Sequence, residues 1–192
     1  MTHNLYDMKE LDKNVKRKYF ISDYDPKWIS QFNDIKKFLQ SVFGEKAIQI
    51  EHVGSTSIPG MAAKPLIDIL VLVNRIEEFE KEKEEMIKAG YEWGENYIAP
   101  DTLLFFKTGT DGEKMENIHV CKKGSLKERQ FLVMRDFLRT FPNKAKEYSD
   151  LKKKLFEQYP NDYPAYRSAK APFLERVRDD AYAWEENGLT GT

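Results

Sequence analysis

The sequence predicts an α+β fold in which a sheet-containing region is followed by a helical one. Short β-branched runs such as "IQIEHV" and "LIDILVLV" lie in the first 122 residues, interleaved with two amphipathic helical patterns. From Ser125 onward the patterns are helical, and Pro142 and Pro160 divide them. A length of 192 residues suits one domain of ordinary size.

The first region is assigned from its periodicity and its turn residues. "KYFISDYDPKW" predicts a short strand and a turn, with Asp25 capping a helix over 26–42 and Pro26 at its first position. Strands are expected at 48–53 and 66–73. A helix from about 75 to 90 then carries four apolar residues expected to face inward: Ile76, Phe79, Met86 and Ile87. "YEWG", "TLLFFKTG" and "MENIHVCK" predict three short strands, and "TGTDGEK" predicts the hairpin turn between the last two.

The C-terminal region predicts three helices, at about 125–140, 142–158 and 162–186. Ser125 and Glu128 have the spacing of a capping box at the start of the first. We therefore expect a poorly ordered extension over 1–18, an α+β core over 19–122, and a helical segment over 123–192 packed on the same domain.

Composition limits the classes of function. The 31 basic and 32 acidic residues give a net charge of −1, so no global field favours nucleic acid or an anionic membrane. The single cysteine, Cys121, cannot form an internal disulfide, and no apolar run approaches the ~20 residues of a membrane span. The polar N-terminus lacks the apolar core of a signal peptide. We expect a soluble, cytoplasmic protein.

The most informative stretch is "IQIEHVGSTSIPGMAAKPLIDILVLV", residues 48–73. A Gly-Ser corner at Gly54 and Ser55 follows a strand, and such corners present backbone N–H groups and a hydroxyl that suit phosphate. Asp68 lies inside an aliphatic strand, where an unpaired carboxylate costs several kcal/mol in effective terms. Lys64 places a cation beside the same strand. One alternative is structural: Gly54 and Ser55 form a turn, and Asp68 is salt-bridged. The other is nucleotide chemistry, which accounts for the phosphate donors, the acid and the lysine at once.

This segment, "EHVGSTSIPGMAAKPLIDI", closely resembles the signature of the GrpB family of nucleotidyltransferase-like proteins. The resemblance continues through "DYDPKW", "NIHVC", "RDFLRTFPNKAKEYSDLKKKL" and "YPAYRSAKAPFLERV", and so covers residues from about 18 to 180. It implies a fold of the DNA-polymerase-β type, a mixed sheet flanked by helices. Gly54, Ser55 and Thr56 would then contact nucleotide phosphates, and Asp68 would bind Mg²⁺ or Mn²⁺.

The sequence departs from the superfamily pattern at two positions. Leu70 stands where a second metal-binding carboxylate is expected, and His119 stands where a third acid is expected. Because two-metal transfer needs several acids, ordinary nucleotidyl transfer is in doubt. His52 and His119 are expected to assist Asp68 as ligands or proton-transfer groups, although each residue could equally be a structural histidine. Strand alternation places Asn117 on the face of His119.

Two lysines complete the candidate site. Lys64 is expected to contact phosphate, with a solvated loop lysine as the alternative. Tyr166 and Lys170 share one face of the last helix, and the family resemblance suggests that this helix closes over the site so that Lys170 reaches a phosphate.

Three functions remain open from sequence. The first is an enzyme that binds a nucleoside triphosphate and a divalent metal and transfers a nucleotidyl group to an unknown acceptor. The second is a non-catalytic module for a nucleotide, a coenzyme A-like ligand or another phosphorylated small molecule. The third, weaker one is a metal-dependent phosphate-ester hydrolase. An acid that replaces Leu70 in space would favour the enzyme.

Overall fold

A five-stranded mixed sheet forms the centre of the protein, in a computed structural model that describes residues 19–77, 79–94, 102–110 and 112–188. The strands are β1 (Gln49–Val53), β2 (Ile67–Val73), β3 (Glu92–Trp93), β4 (Thr102–Thr108) and β5 (Lys114–Lys122). Their order in the sheet is β1-β2-β5-β4-β3. The β2–β5 pair is parallel and the other pairs are antiparallel. The predicted α+β class with a mixed sheet is confirmed.

In the described parts of the chain, five α-helices flank this sheet. They are α1 (Lys27–Phe43), α2 (Glu80–Lys88), α3 (Leu126–Thr140), α4 (Pro142–Gln158) and α5 (Tyr163–Glu186). Each of the three helices predicted in the C-terminal region is present within a residue or two of its expected bounds. Among the residues described, no helix combines the length and the apolar character that a bilayer crossing requires.

Strand β2 is buried on both faces, which explains its continuous apolar run. On one face Ile67, Ile69 and Val71 pack in the main core with α1 and α2. On the other face Leu70 and Leu72 pack with side chains from α3. Since side chains alternate along a strand, Asp68 belongs to the face that carries Leu70 and α3.

The C-terminal helices form a second core, and this core includes residues from the loop between β1 and β2. Ile58 and Met61 of that loop are buried with Phe137 of α3, Tyr148 of α4 and Phe173 of α5. The loop therefore lies between the sheet and the three helices. The sheet and the C-terminal helices together therefore position the candidate site residues of this loop.

The segment before α1 differs from its prediction. Among the described residues of the predicted strand, only Ser22 pairs, as an isolated bridge with Ala63. The Asp25 carboxylate accepts a 2.9 Å hydrogen bond from the Lys27 amide, although Asp25 lies one residue before the capping position. The helix begins at Lys27, however, with Pro26 in the capping position before it.

Helix α2 is the other difference. It begins at Glu80, five residues later than predicted. Ile76, Phe79 and Met86 are buried as expected, but Ile87 is 49% exposed. Met86 and Ile87 are adjacent, and a helix turns 100° between neighbours, so a stripe centred on Met86 leaves Ile87 toward solvent. The predicted extension over 1–18 lies outside the described residues.

The capping box at α3 is present in a shifted form. The Ser125 hydroxyl accepts a 3.2 Å hydrogen bond from the Glu128 amide. The Glu128 carboxylate accepts from the amide of Gly124 rather than from that of Ser125. Two amide groups at the start of the helix are satisfied in this way.

Candidate functional site

The Gly-Ser corner requires glycine at position 54. Gly54 has φ 70° and ψ −174°, a conformation that residues with a β-carbon rarely adopt. A β-carbon there would also lie 2.5 Å from Oδ2 of Asp68, well inside van der Waals contact. The chain then enters a 3₁₀ turn at Ser55–Ser57. The corner and the strand-borne acid are therefore one local structure.

Asp68 is held in place by the neighbouring parallel strand. It lies beside Asn117 in the β2–β5 register, and the Asn117 side-chain amide donates a 2.9 Å hydrogen bond to its Oδ1. Nε2 of His119 lies 3.6 Å from the same oxygen. Burial raises the pKa of Asp68, but His119, Asn117 and the charge of Lys64 together hold it below its usual value. Asp68 is an ionised carboxylate with defined partners, on the face predicted for Asn117 and His119.

His119 lies on the same face as Asp68 and packs against α3. Its ring is tilted against that of Phe131, with 4.6 Å between the centroids. Burial lowers the pKa of His119, although Asp68 opposes this effect. The residue beside His119 on the neighbouring strand β2 is Leu70, which is fully buried and has no group that could bind a metal. His119 is thus brought to Asp68 as expected, while its catalytic role stays a prediction.

Lys152 of α4 is a residue of this site that sequence reasoning missed. It is only 2% exposed, and its ammonium donates a 3.1 Å hydrogen bond to the Ser55 hydroxyl. The ammonium also lies 4.3 Å from the centre of the Tyr148 ring. Burial, reinforced by the charge of Lys170, lowers the pKa of Lys152 well below its usual value.

A helical pattern could have revealed Lys152. In the sequence it belongs to the run "KKK", which suggests a solvated surface. Tyr148 and Leu155 are both buried, and Lys152 lies four residues after the first and three before the second. That spacing places it on the buried stripe of α4.

The two predicted lysines approach the corner from other elements. Lys64, just before β2, donates a 3.2 Å hydrogen bond to the Tyr163 hydroxyl of α5. The Lys170 ammonium lies 5.1 Å from the centre of the Tyr166 ring, also on α5. Burial lowers the pKa of Lys170; the charges of Lys64 and Arg167 lower it further, whereas Tyr163 and Asp68 raise it. Helix α5 therefore lies against Lys64, while contact of Lys64 and Lys170 with phosphate stays a prediction.

His52 and Thr56 lie on the inner side of the corner. The Thr56 hydroxyl donates to the Leu66 carbonyl at 3.0 Å and lies 3.0 Å from Nε2 of His52. Since that hydroxyl has one proton, His52 must donate to it from Nε2. The His52 ring stacks on Phe32, and burial lowers its pKa to about 4. Both residues brace the loop, and their roles in catalysis and phosphate binding stay predictions.

Arginines of α3 fix the same loop from outside. Arg135 forms an ion pair with Glu51 at 2.6 Å and donates to the His52 carbonyl at 3.3 Å. Arg139 donates two hydrogen bonds to the Ser57 carbonyl, at 2.8 and 3.1 Å. Both guanidinium groups hold main-chain atoms beside the corner, so α3 sets its position.

The donor set does not suit the two metal ions of ordinary nucleotidyl transfer. Within the described parts of the chain, no group of three His, Cys, Asp or Glu residues comes together as a metal site. Asp68 is already hydrogen-bonded, and its neighbours include the ammonium groups of Lys64 and Lys170. Mg²⁺ or Mn²⁺ as a cofactor therefore stays a prediction from the resemblance, without a ligand cluster to support it.

A separate groove of about 610 Å³ lies between the loop and the helices α3 and α4. Its walls include Ile58, Pro59 and Leu138 together with Lys146 and Lys153. Both lysines are paired with acids, Lys146 with Asp150 and Lys153 with Asp23. Because the charges of these two lysines are balanced within the groove, we place the candidate site at Ser55, Asp68 and Lys152.

Comparison with known proteins decides the family. The sequence profile described as GrpB protein matches residues 18–180. The chain belongs to the GrpB family. The resemblance found in the sequence is thereby confirmed over nearly the same range.

Relatives in the GrpB family differ in length. The UPF0157 protein YqkA of Bacillus subtilis is 39% identical over 172 residues, which are 89% of this chain and 49% of YqkA. The crystal structure of the conserved protein GrpB from Enterococcus faecalis matches with a TM-score of 0.79 and 30% identity, covering 84% of this chain and 96% of that one. A dephospho-CoA kinase of Mycolicibacterium paratuberculosis is 26% identical over 186 residues, 85% of this chain and 46% of the kinase. The chain spans about half the length of YqkA and of the kinase.

Proposed function

We propose that this GrpB-family chain binds the phosphate groups of a nucleotide or a coenzyme A-like ligand between the Gly54–Ser55 corner and helices α4 and α5. The observation that carries the proposal is Lys152. Its ammonium is buried, points at the Ser55 hydroxyl, and has no carboxylate at ion-pair distance among the described residues.

The physical argument concerns the cost of a buried charge. An ammonium removed from water destabilises the folded state by several kcal/mol unless an anion accompanies it. Because burial lowers the pKa of Lys152, an anionic group bound beside Ser55 would favour the protonated lysine and supply its counter-charge. The Ser55 hydroxyl and the adjoining lysines supply donors of the kind that phosphate oxygens accept.

Nucleotidyl transfer is the second candidate, and the position of Asp68 favours it. The carboxylate touches the corner at Gly54 and is 22% exposed, so it can reach a group bound beside Ser55. A single acid with Lys64 and His119 nearby could orient an acceptor or take its proton. Because the residues do not form a two-ion site, we assign no step to a metal.

The similarity to dephospho-CoA kinase supports coenzyme A-like ligands as one ligand class. The matched part is less than half of that kinase. We therefore include dephospho-coenzyme A among the ligands to be tested.

Calorimetric titration tests the proposal. ATP, CTP, GTP, UTP and dephospho-coenzyme A are titrated into the wild type with and without Mg²⁺ or Mn²⁺. Lys152→Met is run beside Lys154→Met, an exposed lysine two residues along the same helix. We expect binding by the wild type and by Lys154→Met, and at least a tenfold loss in Lys152→Met.

The outcomes separate the candidates. If none of these ligands binds, the proposed function is wrong. Binding that needs the metal and is lost in Asp68→Asn would favour transfer, and release of pyrophosphate in the presence of an acceptor would then establish it. Binding that is indifferent to the metal and to Asp68 would identify a recognition module.

A further inference from the structure

We propose that Ser55 is a nucleophile, that Lys152 is its general base, and that this pair attacks the phosphorus of a phosphoanhydride bound at the corner. In the proposed function both residues only contact the ligand, whereas here Ser55 forms a covalent bond with it. The substrate class rests on the proposed function, but the reactivity of the pair does not.

The Ser55 hydroxyl is distinguished by the group that it contacts. Nζ of Lys152 lies 3.1 Å from Oγ of Ser55, and in the part of the chain that the structure describes it is the one side-chain partner of that hydroxyl. Ser57, two residues later, instead donates to the Gly54 carbonyl at 2.7 Å. A carbonyl oxygen orients a hydroxyl without taking its proton, whereas an amine at this distance can act as a general base. Ser55 thus has the geometry of a nucleophile paired with its base.

The surroundings of Lys152 favour this role. Its side chain is 2% exposed, and Nζ lies 4.3 Å from the centre of the Tyr148 ring, so the amine is largely shielded from water. Burial first, and the charge of Lys170 second, lower the pKa of Lys152 well below its usual value. The uncharged amine is therefore present at a lower pH than in a solvated lysine, and its lone pair can accept the Ser55 proton. Ser55 itself is partly exposed, so a substrate can reach its Oγ.

The reaction balances within the pair and its substrate. A lone pair on Oγ of Ser55 forms the new bond to phosphorus, and the hydroxyl proton moves to Nζ of Lys152. The bond from phosphorus to the bridging oxygen breaks, and its electron pair leaves on the displaced phosphate group. The ammonium that results lies beside the phosphate now attached to Ser55, so the proton transfer also supplies a counter-charge.

An alkyl fluorophosphonate tests the pair without requiring that a natural ligand binds. Fluoride leaves when a serine oxygen attacks its phosphorus, and mass spectrometry of the peptides locates the adduct. We expect the adduct on Ser55 and not on Ser57. Lys152→Arg keeps a cation and N–H donors but cannot take a proton, so the labelling rate should fall roughly 100-fold or more, as in Lys152→Met. The exposed control Lys154→Met should label as the wild type does.

The labelling rate of the wild type should rise with pH and reach a plateau, because protonated Lys152 cannot accept a proton. His52, His119 and Asp68 have lowered pKa values and titrate below neutral pH, so they do not produce a rise above pH 7. The pKa of Lys170 is lowered too, and Lys170→Met should therefore keep the rise if Lys152 is its source. This profile needs no substitution at position 152, and thermal unfolding establishes which variants are folded.

ATP radiolabelled at the α- or the γ-phosphorus tests the substrate class. Wild type is incubated with each, with and without Mg²⁺, and the peptide that contains Ser55 is analysed. Attack at the α-phosphorus leaves a nucleotidyl group on Ser55 and releases pyrophosphate, whereas attack at the γ-phosphorus leaves a phosphoryl group and releases ADP. We expect one of these two modifications in the wild type and its loss in Lys152→Arg.

The possible failures are distinguishable. A wild type without a fluorophosphonate adduct on Ser55, or equal labelling of folded Lys152→Arg, would overturn the nucleophile and its base. Calorimetric binding of ATP without modification of Ser55 would overturn the substrate class and leave the proposed function intact. If no phosphorylated ligand binds, the proposed function and the substrate class fail together, and the fluorophosphonate result alone decides the pair.

Discussion

The α-carbon of Gly54 lies so close to the carboxylate of Asp68 that a β-carbon at position 54 would be 2.5 Å from Oδ2. Position 54 also has a positive φ. We expect Gly54→Ala to destabilise the fold by roughly 3 kcal/mol, from backbone strain together with overpacking against Asp68. Urea denaturation measures the loss.

Gly60 provides the matched control for this prediction. It has φ 77°, but a β-carbon there would meet nothing within 4 Å. Gly60→Ala should therefore cost only about 1 kcal/mol, the strain alone. Equal losses in the two variants would mean that the contact between Gly54 and Asp68 contributes nothing.

Replacing Lys152 should stabilise the protein while weakening ligand binding. Lys152→Met keeps the length of the side chain and removes a buried ammonium that has no acidic partner among the described residues. We expect the free energy of unfolding to rise by about 1 kcal/mol or more. The exposed control Lys154→Met should change it by less than about 0.5 kcal/mol. A clear destabilisation by Lys152→Met would indicate that Lys152 serves the fold rather than a ligand.

Lys152 also predicts a dependence of stability on pH. The pKa of Lys152 is lower in the folded protein than in the unfolded chain. At pH values between these two pKa values, the unfolded chain therefore binds more protons than the folded protein. Stability contributed by this group therefore increases as the pH rises through that interval. Unfolding curves at several alkaline pH values should show the increase in wild type and a smaller one in Lys152→Met. Parallel curves would contradict the prediction.

His52 predicts a loss of stability in acid. Burial lowers its pKa from 6.5 to about 4, so the folded protein holds the ring neutral while the unfolded chain protonates it. The stability is fully present above pH 6.5 and declines as the pH falls through about 4. The full loss is on the order of 3 kcal/mol. Unfolding measured from pH 7 to pH 4 should show a shallower decline in His52→Gln, which can still donate to Thr56; identical declines would refute the assignment.

Cys121 should be unreactive in the folded protein. The side chain is fully buried, and burial raises the pKa of its thiol to about 12. The thiolate is the reactive form, so a thiol reagent at pH 8 should label the native protein slowly and the urea-unfolded protein at once. Rapid labelling of the native protein would contradict the raised pKa and the burial of this thiol.

Local patterns were enough to predict most of the strands and the corner, whereas the mixed sheet was expected from the family resemblance. The apolar run of β2 and the alternation along β5 placed Asp68, Asn117 and His119 correctly, because strand periodicity alone fixes which side chains share a face. Ile87 was misplaced because the true start of α2, at Glu80, has no capping residue to mark it.

The cationic part of the site could be predicted only in part. Lys64 was singled out by its position just before β2 and Lys170 by the family resemblance, whereas Lys152 was hidden in a run of lysines. A buried lysine and a solvated one have the same sequence signature, and only the packing of Tyr148 and Leu155 on each side distinguishes them. Nothing local to α4 indicates that it faces Ser55, since that contact joins residues 97 positions apart.

Because Ser55 and Lys152 are far apart in the sequence, the two sides of the candidate site are synthesised at different times. The sheet, with Gly54 and Asp68, is complete once the ribosome has synthesised β5, but Lys152 and Lys170 follow on α4 and α5. A nascent chain that has folded its sheet therefore exposes the acid before either of these cations has been added. Under the proposed function, ligand binding by the nascent chain would begin only after α5 has been synthesised.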